Sequence, residues 1–429
     1  MPAHKEERTG RPRIRSARTL LGGLLVMGAI AAATGQAHPA AARPTAPATP
    51  GAARLAGDLR ADLAAYLHTH ASDEHVSAAG LTVSLSGRRP AIDVSAGTTR
   101  SGGSRPVTPD SVWQIGSNTK AFTSVLLLKL EARHKLSIND TLGRWLPQYR
   151  QWRHVTISSL LHMTSGIPTF DSQPAFEAAY ASRPYQEFSK ERLVSYVTGA
   201  PATSGYSYSN TNYILAEMII EKATRDSYEH QLYTRIIKPL GLRDMFYRPS
   251  LYPPRVTARE PAGYYFDTVP ALARLHGRDV SRYTLSPARG AGGIISTTHD
   301  MIVWERALYG GTLLPARQQA ELTSLVSTAD GQPVEGTVPG GPAAFGLGVT
   351  QATNEKLGTV WFYEGGTYGF RTLHVYVPKL GVILALGLNS YTDPDKNDRI
   401  NDLVPMVLGT LVTDHAISAL AAPHYTAWV

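Results

Sequence analysis

The sequence predicts an α/β protein of the α+β kind, an antiparallel sheet flanked by N- and C-terminal helices with a mainly helical lobe inserted into it. Three observations carry that prediction. Early in the chain a helical pattern leads into two β-rich runs; late in the chain two β-rich runs lead into a helical pattern; and the stretch between is helical over most of its length.

Each element follows from its local pattern. Leu59, Leu63, Tyr66 and Leu67 recur at helical spacing. Leu81 to Leu85 and Ala91 to Val94 are β-rich and flank the turn-forming Gly87-Arg88-Arg89-Pro90, so they pair as neighbouring strands. His374 to Val377 and Val382 to Leu388 flank Pro378-Lys379-Leu380-Gly381 in the same way, and Ile400 to Leu411 closes the domain as a helix. The inserted lobe occupies residues 138–287, with Tyr213 to Ala223 and Tyr228 to Ile237 as its clearest helices. Together these elements make one domain over residues 55–420.

The chain has 429 residues, 43% of them hydrophobic, enough to bury a large core without crosslinks. It contains no cysteine, which excludes disulfides, thiolate metal sites and a cysteine nucleophile. The first nineteen residues carry six basic and two acidic side chains, half of the formal net charge of +8. The remaining charge is spread along the chain and gives no sign of a nucleic-acid partner. An apolar run from Leu20 to Ala33 follows, then small residues ending at Ala37 or Ala42. This is the layout of a signal peptide over residues 1–37, cleaved there or after Ala42. No Arg-Arg pair precedes the run, so the expectation is Sec-type export, a secreted product and no stable membrane span after processing. Residues 38–54 are rich in Pro and Ala and read as an extended linker.

The chemistry is concentrated around Ser117. The segment Ser111-Val-Trp-Gln-Ile-Gly-Ser-Asn-Thr-Lys120 runs into an almost wholly apolar helix, whose polar first turn is therefore conspicuous. Ser117 and Lys120 share one face of that turn, within reach of each other, and a helix start offers backbone N–H groups to a developing oxyanion. Ser-x-x-Lys alone is weak, because a chain this long contains roughly one by chance. A capping serine beside a lysine with a solvated tip explains it equally well. Two further segments add weight. Tyr208 and Asn210 lie two apart in Gly205-Tyr-Ser-Tyr-Ser-Asn-Thr-Asn-Tyr213, so an extended chain points both to one side. Tyr363-Glu-Gly-Gly-Thr-Tyr-Gly-Phe370 leads into a sheet strand, with Gly365 and Gly366 letting a substrate backbone lie close to its edge.

Ser117-x-x-Lys120, Tyr208-x-Asn210 and a Gly-Gly strand motif, in that order, resemble the serine β-lactamases and penicillin-binding DD-peptidases, above all the class C β-lactamases and the secreted single-domain D-Ala-D-Ala carboxypeptidases and D-aminopeptidases. Leu160-Leu-His-Met-Thr-Ser-Gly166, Ala291-Gly-Gly-Ile-Ile-Ser-Thr297 and Phe345-Gly-Leu-Gly348 extend the likeness, which spans Leu81 to Ser390. The resemblance implies a β-lactamase/transpeptidase-like fold and a serine hydrolase that forms an acyl-enzyme on Ser117. Lys120 and Tyr208 would move protons, Asn210 would position the substrate or Lys120, and the backbone N–H groups of Ser117 and Thr367 would form the oxyanion hole. No metal or other cofactor is called for. The implied substrates are small peptides, amides or esters containing D-amino acids, including cell-wall fragments. A β-lactamase or carboxylesterase of the same fold, and a catalytically silent binder of peptides or cell-wall fragments, are the alternatives.

One departure stands out. The related enzymes begin the third motif with lysine or histidine, where this chain reads Glu364-Gly365-Gly366. An anion there would repel a substrate carboxylate and raise the pKa of Tyr208, leaving neutral Lys120 as the base and Arg371 or Lys356 to bind any carboxylate. Elsewhere, His68, His70, Asp73, Glu74 and His75 read as a solvated helix end before they read as a metal site. The pair His299-Asp300 lacks a Gly-x-Ser-x-Gly partner anywhere in the chain. The tyrosines from Tyr206 to Tyr213, with Tyr363 and Tyr368, divide between a substrate groove and lobe packing.

Overall fold

Leu55, Leu59, Leu63 and Tyr66 are the buried residues of helix α1, Pro50–His70, whose apolar stripe lies on the sheet. The computed structural model describes residues 50–417 apart from 87–89, 248, 250, 251 and 394–397. The signal peptide, linker residues 38–49, most of the Gly87–Pro90 turn and residues 418–420 fall outside the described residues. Within them, the expected linker boundary at residue 54 is not kept. Residues 50–54 already belong to α1, with Pro50 at the start, where a missing N–H costs nothing.

Among the described residues the main sheet has nine strands, numbered here in chain order: β1 Ala78–Leu85, β2 Ile92–Gly97, β3 Leu325–Ser327, β4 Pro333–Val334, β5 Ala344–Phe345, β6 Thr350–Asn354, β7 Gly358–Thr367, β8 Phe370–Val377 and β9 Val382–Leu388. Their spatial order is β2-β1-β9-β8-β7-β6-β5-β3-β4, and every pairing is antiparallel. Strands from the two ends of the sequence thus meet at β1 and β9, where Leu81 faces Leu386 across the pair.

The sheet is covered on both sides. Alternate residues Leu81, Val83, Leu373, Val375, Leu384 and Leu386 share one core with α1 and the C-terminal helix Leu403–Thr413. The other face carries the larger core, which includes Phe122, Val125 and Leu126 of helix α2, Thr119–Glu131, Ile214 and Leu215 of helix α3, Asn210–Thr224, and Trp304 of helix α4, Thr298–Tyr309. Phe122 and Trp304 stack there with centroids 3.7 Å apart. The inserted segment is mainly helical, with short strands at Met245–Tyr247 and Tyr264–Tyr265. No helix among the described residues is long and apolar enough to cross a membrane.

Candidate active site

The turn that carries Ser117 is placed by glycine. Gly116 has φ +50°, and a Cβ on it would lie 2.6 Å from the carbonyl oxygen of Gly366. A Cβ on Gly365 would lie 2.1 Å from the Ile115 carbonyl oxygen. Only glycine at both positions lets the single 3-10 turn Gly116–Asn118 press against β7. That contact brings the Ser117 backbone alongside Thr367. The expectation that these glycines make room for substrate is therefore corrected for Gly365, which makes room for the protein's own turn. Gly366 and Thr367 do line the cleft.

A second network locks the same turn. Asn118 donates through Nδ2 to the Ile115 carbonyl at 3.1 Å and to Thr372 Oγ1 at 3.0 Å, so its Oδ1 is left to accept from His374 Nδ1 at 2.6 Å. This fixes the imidazole tautomer, and Nε2 accepts from the Tyr309 hydroxyl at 2.8 Å. Burial drives His374 down to a pKa of about 3 and holds the neighbouring Glu305 well above the usual carboxylate range, so their 3.3 Å contact joins two neutral groups rather than an ion pair.

Ser117, Lys120, Tyr208 and Asn210 come together. Ser117 Oγ lies 2.9 Å from Lys120 Nζ and 2.6 Å from the Tyr208 hydroxyl. Lys120, fully buried at 0% exposure, also donates to Asn210 Oδ1 at 2.6 Å and to the Ala291 carbonyl at 2.8 Å. Burial lowers its pKa to about 7, against a smaller upward pull from Asp171. A neutral amine that donates to Asn210 and Ala291 has its lone pair left for the serine proton. Gly348 has φ +79°, and a Cβ on it would lie 2.8 Å from the Ala121 nitrogen and 3.0 Å from the Lys120 carbonyl oxygen, which accounts for the glycine that ends the Phe345–Gly348 motif.

Tyr208 behaves as expected in direction but for another reason. Desolvation at the hydroxyl holds its pKa above the ordinary phenol value, Ser117 and Tyr363 pull it back, and Tyr206 and Asp171 add to the rise. Its side chain stays 38% exposed along the cleft, which tempers the desolvation. A neutral phenol beside Ser117 is suited to donate a proton.

Glu364 takes no part. Residues alternate along β7, so Tyr363 and Glu364 face opposite sides of the sheet. Glu364 lies on the side of α1 and the C-terminal segment, near Arg371, Asp398 and Asn401, and burial followed by Asp398 holds its pKa well above the carboxylate range. The expectation of an anion in the cleft is overturned by strand parity. The side chain beside Tyr208 is Tyr363, whose buried hydroxyl makes no hydrogen bond of standard geometry yet sits near enough to influence the Tyr208 proton. Arg371 is likewise corrected. It is 1% exposed and engaged by Glu74 at 2.8 Å, Asp398 at 2.6 Å and the Ser390 carbonyl at 2.9 Å, so it is closed to a substrate carboxylate. Lys356 sits in the turn before β7, about 30 Å of strand away from Thr367. Glu74 is buried, receiving Tyr66 at 2.5 Å as well as Arg371, and is not part of a solvated helix end. His299 pairs with Asp93 at 2.8 Å, while Asp300 stands at the start of α4.

Sequence reasoning overlooked Asp171. It follows Phe170 in the loop after Gly166, accepts from Asn210 Nδ2 at 2.6 Å and from the Thr169 hydroxyl, and lines the cleft with Ser117. The available signal was weak: an acid beside Phe170 in the polar stretch Thr169-Phe-Asp-Ser-Gln173. The cleft, about 140 Å³ in volume, is otherwise walled by Phe170, Phe176, Tyr180, Leu285, Tyr368 and Tyr391. Tyr180 and Tyr368 touch with centroids 4.6 Å apart, so Tyr368 lies in the groove, whereas Tyr213 is buried in the lobe core. Among the described residues no cluster of three or more acid or imidazole groups is arranged to hold a metal ion.

A sheet domain with an inserted helical lobe and a serine beside a buried lysine points to the class of serine hydrolases. The chain belongs to the β-lactamase family, which it matches over residues 33–404. It is 28% identical over 325 residues to the D-alanyl-D-alanine-carboxypeptidase/endopeptidase AmpH of Escherichia coli, covering 73% of this chain and 80% of that protein. It is 27% identical over 280 residues to a penicillin-binding protein of Bacillus subtilis, covering 63% of this chain. The match spans only 59% of that relative, and 53% of an unguisins hydrolase from Aspergillus campestris. Among solved structures, a D-stereospecific amidohydrolase from Streptomyces superposes with a TM-score of 0.66 at 27% identity, over 81% of this chain and 97% of that one. The D-amino acid amidase of Ochrobactrum anthropi superposes with a TM-score of 0.69 at 22% identity, over 84% and 99% of the two chains, a likeness of fold.

Proposed function

We propose that the chain is an exported serine acyl hydrolase that acts through an acyl-enzyme on Ser117 and cleaves amides, esters or peptides containing D-amino acids. The observation that carries this reading is the buried Lys120, whose Nζ lies 2.9 Å from Ser117 Oγ with its pKa brought to about 7. Such an amine is a base at neutral pH.

Neutral Lys120 takes the Ser117 proton as Oγ adds to the substrate carbonyl. The N–H groups of Ser117 and Thr367 receive the oxyanion. Tyr208, neutral and 2.6 Å from Ser117 Oγ, passes a proton to the leaving nitrogen or oxygen and is reprotonated from Lys120. Water then attacks the ester and the same groups run in reverse. Hydrolysis of D-amino-acid derivatives is supported by the Streptomyces amidohydrolase and AmpH likenesses. The carboxypeptidase variant, with Arg371 as carboxylate anchor, loses support because that guanidinium is buried.

The test is covalent labelling with a fluorescent serine-directed phosphonate. Wild-type protein is expected to label and Ser117→Ala to remain unlabelled. Equal labelling of both would sink the assignment.

A further inference from the structure

The Lys120 amine is held by two acceptors, and they are placed in different ways. One is the side chain of Asn210, the first residue of α3; the other is the backbone carbonyl of Ala291, 2.8 Å from Nζ. Ala291 belongs to the single helical turn Arg289–Gly292. The chain enters that turn through Arg289 at φ +36°, a left-handed conformation that a residue with a Cβ keeps only where its surroundings impose it.

A buried acid imposes it. Glu217, 1% exposed, is the one acid in the buried run Thr211–Ile220 of α3. It follows Asn210 by two helical turns, so the two side chains share a face of the helix. Its Oε2 accepts from the Gly290 N–H at 2.6 Å and from the Tyr247 hydroxyl at 3.1 Å, while Oε1 faces Lys190 at 3.5 Å and Arg289 at 4.0 Å. The approach is close: a Cβ on Gly290 would lie 3.1 Å from both Cβ and Oε2 of Glu217. The Gly290 carbonyl is tied to α2, where Thr123, one turn beyond Lys120, donates to it at 2.7 Å and accepts from the Tyr228 hydroxyl at 2.7 Å. Gly290 is thus fixed at its nitrogen by Glu217 and at its oxygen by Thr123, and the next carbonyl along the chain is the one that meets Lys120.

We propose that Glu217 is a positioning residue for acylation: through its hydrogen bond to the Gly290 N–H it sets the Ala291 carbonyl that aims the Lys120 amine at Ser117. This rests on the reading of Ser117 as nucleophile and Lys120 as its base. An amine has one lone pair, and with its N–H groups directed at Asn210 and Ala291 that lone pair points to Ser117 Oγ. With the Ala291 carbonyl displaced, the amine turns away from the serine for part of the time and proton transfer slows. Glu217 touches neither the serine nor the cleft, so the effect falls on the rate of acylation and leaves binding as it is.

The experiment follows labelling by the fluorescent phosphonate as a function of its concentration, which separates the limiting rate kinact from the half-saturating concentration KI. Phosphonylation calls on the same transfer of the Ser117 proton to Lys120. Glu217→Leu, of similar bulk but without an acceptor, is expected to lower kinact by about ten- to a hundredfold and to leave KI within about twofold of wild type. Glu217→Gln keeps an oxygen for the Gly290 N–H and is expected to hold kinact within about threefold of wild type. Thr123→Val removes the other tie on Gly290 at nearly constant volume and is expected to slow kinact as Glu217→Leu does, so the inference is tested even where Glu217→Leu does not fold. If these variants label in a smaller fraction of molecules but at the wild-type kinact, Glu217 only steadies the fold and the inference is overturned. Glu217→Gln as slow as Glu217→Leu overturns the hydrogen bond as the cause. Failure of wild type to label overturns the nucleophile assignment itself, whereas a labelled wild type with unchanged kinact in the variants overturns the positioning role alone.

Discussion

Lys120 owes its chemistry to the removal of water. Burial is the dominant cause of its lowered pKa, and Asp171 offsets part of it. The sign of the pH dependence follows: below about 7 the amine is protonated and cannot accept the Ser117 proton, so kcat/KM is expected to climb up to tenfold per pH unit toward that value and level off above it, as a stopped-time assay over pH 5 to 9 would read. Removing the Asp171 charge takes away the upward pull, so the limb in Asp171→Asn is expected at lower pH. Lys120→Arg places a permanent cation beside the serine and is expected to cost about a thousandfold in acylation. Tyr208 would not substitute, because desolvation keeps its phenol protonated.

At the scale of elements, the site is the junction of one turn and two strands. Asn118, His374 and Tyr309 bind the Gly116–Asn118 turn to β8 and α4 through buried neutral groups. His374→Leu leaves the Asn118 and Tyr309 partners unsatisfied and is expected to lower unfolding free energy by about 1–3 kcal/mol per orphaned group. The histidine also sets a pH dependence. Its folded pKa, about 3, lies below the ordinary value of 6.5, so the unfolded chain binds more protons between the two. Stability from this group is present above 6.5 and is lost as pH falls toward 3, by up to about 1.4 kcal/mol per pH unit, a slope that denaturant titrations of His374→Leu should lack. Periodicity made the outer elements legible: α1, the β1–β2 and β8–β9 pairs and the helix after Ser117 all follow from local apolar spacing. The error at Glu364 came from matching letters to a motif without counting strand parity, which sets Tyr363 toward Tyr208 and Glu364 away. Asp171 stayed hidden because its role arises from a contact with Asn210 across 39 residues of sequence.

Across the molecule, one buried charge cluster joins distant parts of the chain. Arg371 of β8 holds Glu74, which follows α1, and Asp398, which precedes the closing helix, while Glu364 of β7 packs beside them. Arg371→Ala would strand two acids in the interior and is expected to destabilise the fold by about 3–5 kcal/mol in chemical denaturation. Discrimination between amide and carboxylate-ended substrates is expected to stay as in wild type, because the guanidinium does not face the cleft.

The same side of the sheet holds a further contact, between Arg54 near the start of α1 and Asp414 just past the closing helix, at 3.2 Å. The first helix and the segment after the closing helix therefore lie side by side among the described residues. A rearranged gene that joins these two points by a short linker and opens instead in the exposed Glu355-Lys356 turn would leave the serine, its lysine and the cleft carboxylate in unbroken segments, so the order in which the ribosome delivers the pieces is separable from the site they assemble.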